Sequence, residues 1–111
     1  IGSWNTGKVT SMTGMFREAT SFNQPLAKWD VRKVIDMVGM FQQASNFNQP
    51  IGLWNIENVN NMSQMFLKAI TFNQDLTNWN GFTGSPNPPA MNNMFEGATA
   101  MKPSFKPKGA A

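Results

Sequence analysis

The 111-residue chain has no cysteine, no histidine and no tyrosine, and only 14% of its residues are charged. Without cysteine there is no disulfide framework and no reactive thiol, and either redox environment is compatible with the chain. Without histidine the commonest general base is missing, and without tyrosine so is a phenolic acid. Acid–base work is left to six carboxylates, Glu18, Asp30, Asp36, Glu57, Asp75 and Glu96, which fall at different positions of the repeat described below and do not form one row. No D-x-D-x-D-G loop and no glycine–aspartate nonapeptide offers a calcium site. The inventory predicts no catalytic residue, no metal, no cofactor and no enzyme.

Long apolar runs are missing too. Nothing approaches the ~20 residues needed to cross a bilayer as a helix, so no membrane-spanning segment is expected, and no signal-peptide pattern opens the chain. Opening on Ile1 rather than methionine suggests a sequence that continues upstream. The formal charge of +3 comes from Lys102, Lys106 and Lys108, which leaves positions 1–101 electrically balanced. A nucleic-acid partner needs a contiguous basic face, so this balance argues against one.

What the chain does have is methionine and large aromatics, with Met 9, Phe 9 and Trp 4, set in a repeat. Residues 1–25 read IGSWNTGKVTSMTGMFREATSFNQP, 26–50 read LAKWDVRKVIDMVGMFQQASNFNQP, and 51–75 read IGLWNIENVNNMSQMFLKAITFNQD. Trp4, Trp29 and Trp54 coincide, as do Val9, Val34 and Val59, then paired methionines, Phe16, Phe41 and Phe66, and Ala19, Ala44 and Ala69. A fourth unit, 76–101, starts with Leu76 and Trp79, takes four extra residues in an inserted loop near 81–89, and resumes at Met91. After Met101 the motif decays into a basic tail, 102–111. The domain reading is thus one four-unit array followed by a tail.

Trp29 and Val31 are two apart, which suits a short strand with Lys28 and Asp30 facing outward. From Val34 through Met37, Met40 and Phe41 to Ala44 the spacing becomes three and four, which predicts one face of a short helix. The expected fold is an α/β repeat solenoid, leucine-rich-repeat-like, with one short parallel strand and one short helix per coil. Methionine and aromatic ladders would fill its core. Asn23, Asn48 and Asn73 recur at the bend after Phe, either to pair backbone groups there or as a functional polar row.

The W-D-V, M-x-x-M-F, Ala and F-N-Q elements of LAKWDVRKVIDMVGMFQQASNFNQP and its neighbours resemble the BspA-like leucine-rich-repeat surface proteins, in the branch with mycoplasma-type surface repeats. That resemblance covers nearly the whole chain. It implies a leucine-rich-repeat-type fold on cell-surface or secreted proteins that bind other components, and it carries no catalytic residues over.

Outward strand positions then form the candidate binding face: Ser3 and Asn5, Lys28 and Asp30, Leu53 and Asn55, Asn78 and Asn80. This mixed polar strip suits a protein partner, or a glycan, although any solvated sheet face would look the same. The functional expectation is a non-catalytic binding module of a surface or secreted protein. The alternative is an accessory structural subunit within an organellar or other large assembly. It is motivated by a first unit as apolar as the internal ones, which further repeats or another chain should cover.

Overall fold

The computed structural model describes residues 1–79 and 89–110; the inserted loop near 81–89, apart from Pro89, lies outside them. Each unit makes one circuit and stacks on the next in register. Principal extents are 31 × 31 × 19 Å, and the shortest is what four layers spaced by ~4.8 Å occupy.

The coil is not built as the spacing suggested. Among the described residues there is no α-helix and no strand, and the only regular element is a 3₁₀ turn at Pro103–Phe105. An α/β architecture with one strand and one helix per coil is therefore corrected to a chain of tight turns joined by isolated parallel bridges. These bridges link Ser11 to Asp36, Asp36 to Asn61 and Asn61 to Ala90. They lie past Val34 and its equivalents rather than at the Trp-x-Val segment assigned as strand.

The reason lies in the backbone. Gly14, Gly39, Gln64 and Asn93 share one position of the unit, with φ between 55° and 62°, and Glu18, Gln43, Lys68 and Gly97 share another, four residues on, at 56–73°. Two left-handed residues four apart interrupt a right-handed helix. Between them the peptide groups alternate in their partners. In the second unit Met40, Gln42 and Ala44 donate to the carbonyls of Met37, Gly39 and Phe41 three residues back. The intervening N–H groups of Met37, Gly39, Phe41 and Gln43 donate instead to Asn61, Ser63, Met65 and Leu67 of the next unit, at 2.8–3.0 Å.

The Trp-x-Val segment is likewise two turns: Trp29 N–H donates to Leu26, and Val34 N–H to Val31. The first and fourth residues of each turn face inward, so a three-residue spacing arises without a helix. Inward and outward directions are still those expected. Trp29, Val31, Val34, Met37, Met40, Phe41, Ala44 and Phe47 are all buried, while Lys28 is exposed.

Aromatic ladders run up the stack. Trp4, Trp29, Trp54 and Trp79 stack with centroids 6.3–6.4 Å apart, and Phe16, Phe41, Phe66 and Phe95 at 5.3–5.6 Å. Phe22, Phe47 and Phe72 make a third ladder at 5.7–5.9 Å, pressed against the second at 4.1–4.2 Å. Offset ring pairs at these separations add ~0.5–1.5 kcal/mol each beyond burial. Three of the four indoles also close a bond between units: Trp29, Trp54 and Trp79 donate to the carbonyls of Ile1, Leu26 and Ile51 at 2.9–3.2 Å.

The asparagine row has a structural task. Asn48 N–H donates to Asn23 Oδ1 and Asn73 N–H to Asn48 Oδ1, both at 2.9 Å, while Gln49 and Gln74 amides donate to the same oxygens. Lys102 N–H takes the next place, on Asn73 Oδ1 at 3.0 Å, and a lysine side chain offers no acceptor to continue the row.

Candidate binding face

Each unit begins with a sharp corner, Pro25-Leu26-Ala27 and Pro50-Ile51-Gly52, where the chain leaves the asparagine row and turns toward tryptophan. In the first and third units this corner has no room for a side chain: a Cβ on Gly52 would run into the carbonyl of Asp75, and one on Gly2 would come within 2.9 Å of that of Pro25. Small residues at the corners leave a furrow along the stack. Its lower part, about 350 Å³, is lined by Gly2, Ser3, Pro25, Ala27 and Lys28. The upper part, about 270 Å³, lies among Ala27, Pro50, Ile51, Gly52, Leu53, Gln74, Asp75 and Asn78. Ala27 lines both, so the two adjoin, and together they touch all four units.

The furrow collects half of the expected face. Ser3, Lys28, Leu53 and Asn78 line it, and Leu53 stands 88% exposed at its edge. Asn5, Asp30 and Asn55 do other work, since each accepts from the backbone N–H two residues ahead, of Gly7, Arg32 and Glu57 at 3.1–3.3 Å. These are Asx turns, in which the side-chain oxygen is taken up in shaping the chain. Asp30 is engaged further by a bidentate pair with Arg32, at 3.0 and 2.9 Å, and its N–H is held by Thr6 Oγ1. Asn80 lies outside the described residues.

Lys28 lines the lower part of the furrow and Asp75 the upper, where the Thr77 hydroxyl and backbone N–H hold the carboxyl below its ordinary range. Asp30, beside this strip, is lowered to about 2, chiefly by its side-chain bond to Arg32. Apolar lining by Ala27, Pro50 and Ile51, with one cation and one anion beside it, suits a short extended segment with apolar side chains.

The sequence reading missed Ala27, Pro50, Gly52, Gln74 and Asp75, because it looked for an outward strand face rather than for the corner between units. The recurring Asn-Gln-Pro before each small residue was the available signal. Among the described residues no group of three or more carboxylates could hold a metal ion, and no helix is long and apolar enough to cross a membrane.

A family model described as "Mycoplasma protein of unknown function, DUF285" matches residues 1–107. No curated protein and no solved structure matches the chain.

Proposed function

The chain belongs to the DUF285 family, and from that premise we propose that it is a non-catalytic repeat module that binds an extended segment of a protein partner along the corner furrow. The observation that carries this reading is Leu53, 88% exposed beside an apolar groove whose two adjoining parts touch all four units. A lone exposed leucine is ordinary on a protein surface, but one set at a groove with apolar lining suits a ligand. A glycan fits the furrow less well, because the polar side chains expected to face it, Asn5 and Asn55, are committed to turns. The proposal includes a place on a surface or secreted protein and the narrower kinship with BspA-like surface proteins, supported by the fixed W-D-V, M-x-x-M-F and F-N-Q spacing.

Photo-crosslinking in intact native material tests this reading. A probe at Leu53 should link to one partner reproducibly, a probe at the exposed Ile35, outside the furrow, should not, and Lys28→Glu should weaken the link. Equal labelling from both positions would sink the furrow as the binding face.

A further inference from the structure

The two parts of the furrow are the same place in the repeat, two units apart, with different side chains. Gly2, Ser3, Pro25 and Lys28 line the lower part, and Gly52, Leu53, Asp75 and Asn78 the upper. Position by position, serine gives way to leucine, proline to aspartate and lysine to asparagine. The upper part therefore gains an apolar side chain and an anion and loses a cation.

Its polar side chains present acceptors. Thr77 N–H and Thr77 Oγ1 both donate to Asp75 Oδ1, at 2.9 and 2.6 Å, and Asp75 Oδ2 has no partner among the described residues. No lysine or arginine among the described residues makes an ion pair with that carboxylate. The Gln74 amide nitrogen donates to the Asn48 carbonyl at 3.2 Å and to Asn48 Oδ1 at 2.9 Å, which leaves Gln74 Oε1 as an acceptor. Exposed Asn78, with no hydrogen bond from its side chain among the described residues, adds a further oxygen. Leu53, 88% exposed, and Pro50 stand beside them. A carboxylate with two amide oxygens and an apolar wall matches a cation that carries several donors on an apolar stem. A guanidinium has five N–H groups in one plane and is more weakly hydrated than an ammonium, so it fits this set better than a lysine does.

We propose that the upper part of the furrow is a pocket for an arginine side chain of the partner's segment, with the guanidinium on Asp75, Gln74 and Asn78 and the stem along Leu53. In the lower part Pro25 offers no carboxylate and Lys28 repels a cation, so the array has one such pocket. This rests on the furrow reading and names the residue that the bound segment must carry.

Titration of the ¹⁵N-labelled chain with acetylated, amidated tripeptides tests it: Val-Arg-Val, Val-Lys-Val, and the same peptide with citrulline, the uncharged equivalent of arginine, in the middle. Val-Arg-Val should shift the Gly52 and Leu53 backbone signals and the Asn78 side-chain signal saturably, and bind at least about tenfold more tightly than the citrulline peptide. Asp75→Asn, which keeps an oxygen for Thr77, should remove that preference. Asn78→Lys, which places the lower part's residue in the upper, should remove it too. No saturable shift, equal binding of the arginine peptide and either of the others, or a preference that survives Asp75→Asn would each overturn the pocket. The Leu53 crosslink reports on the furrow separately. A partner linked there without arginine preference in the tripeptides overturns the pocket and leaves the furrow standing, whereas arginine preference with equal linking from Leu53 and Ile35 supports the pocket and removes the furrow.

Discussion

The indole Nε1 of Trp54 donates to the carbonyl oxygen of Leu26 at 2.9 Å, reaching from one unit into the one before it. That oxygen also accepts Trp29 N–H at 3.1 Å, so a single carbonyl ties a turn to the ladder stacked on it. Trp54→Phe keeps a ring in the stack and leaves Leu26 its other bond, and should cost roughly 1–2 kcal/mol. Trp54→Ala, like Trp29→Ala, empties a buried site and should cost roughly 3–5 kcal/mol. Urea unfolding measures both, and an alanine variant as stable as the parent would contradict the inward ladder.

Gly39 distinguishes the turn from the helix by the sign of one substitution. Within a helix, Gly→Ala stabilises by ~1 kcal/mol. At φ 62° an alanine is instead forced into the left-handed region, at a cost of ~1–2 kcal/mol. The added Cβ meets only the end of the flexible Gln42 side chain at 3.1 Å, so backbone conformation decides the outcome. Gly39→Ala is expected to lower the thermal midpoint; a rise would restore the helix.

These two residues mark how far the sequence could be read. Register, inward tryptophans and the buried Met–Phe–Ala core were legible because stacking places identical side chains above one another. The backbone between them was not, because turns with their first and fourth residues inward imitate helical spacing. Gly14 and Gly39 at one position of the unit were a visible sign of left-handed backbone. Gln64 and Asn93 at that same position gave none; Gln64 is held there by its N–H bond to Asn92 of the next unit. The candidate face divided on similar grounds: Ser3, Lys28, Leu53 and Asn78 line the furrow, but Asn5, Asp30 and Asn55 each precede by two a backbone N–H they accept from, a pattern the sequence also contained.

Asp30 gives a titration that reads its pairing with Arg32. Its carboxyl, held at about 2 against an ordinary 3.8, is lowered first by the Arg32 side-chain bond and then by the Arg32 backbone N–H. A carboxyl depressed on folding contributes stability above the unfolded value, and that contribution fades as pH falls from 3.8 through about 2. The pair lies at the surface, so salt weakens it. Carboxyl ¹³C NMR should follow the low titration, and Arg32→Ala should raise it only part of the way to 3.8 because the backbone N–H remains. An unchanged Asp30 titration in that variant would show that the guanidinium is not its cause.

Asn48 sits in the middle of the asparagine row and separates shape from hydrogen bonding. Its Oδ1 accepts both Asn73 N–H and the Gln74 amide at 2.9 Å, and its own N–H rests on Asn23 Oδ1. Asn48→Ala strips the acceptor from two donors that are partly buried, and should cost ~1–3 kcal/mol. Asn48→Asp keeps an oxygen in the same place. Both bonds come from donors, so the carboxylate should retain most of the stability near neutral pH and lose it as acid protonates that side chain. The pH dependence of the Asn48→Asp variant is therefore the sharper measurement: a midpoint that falls with acid, relative to the parent chain, means the row works through its acceptor oxygens, whereas a variant as weak as Asn48→Ala at every pH means it works through the amide's shape.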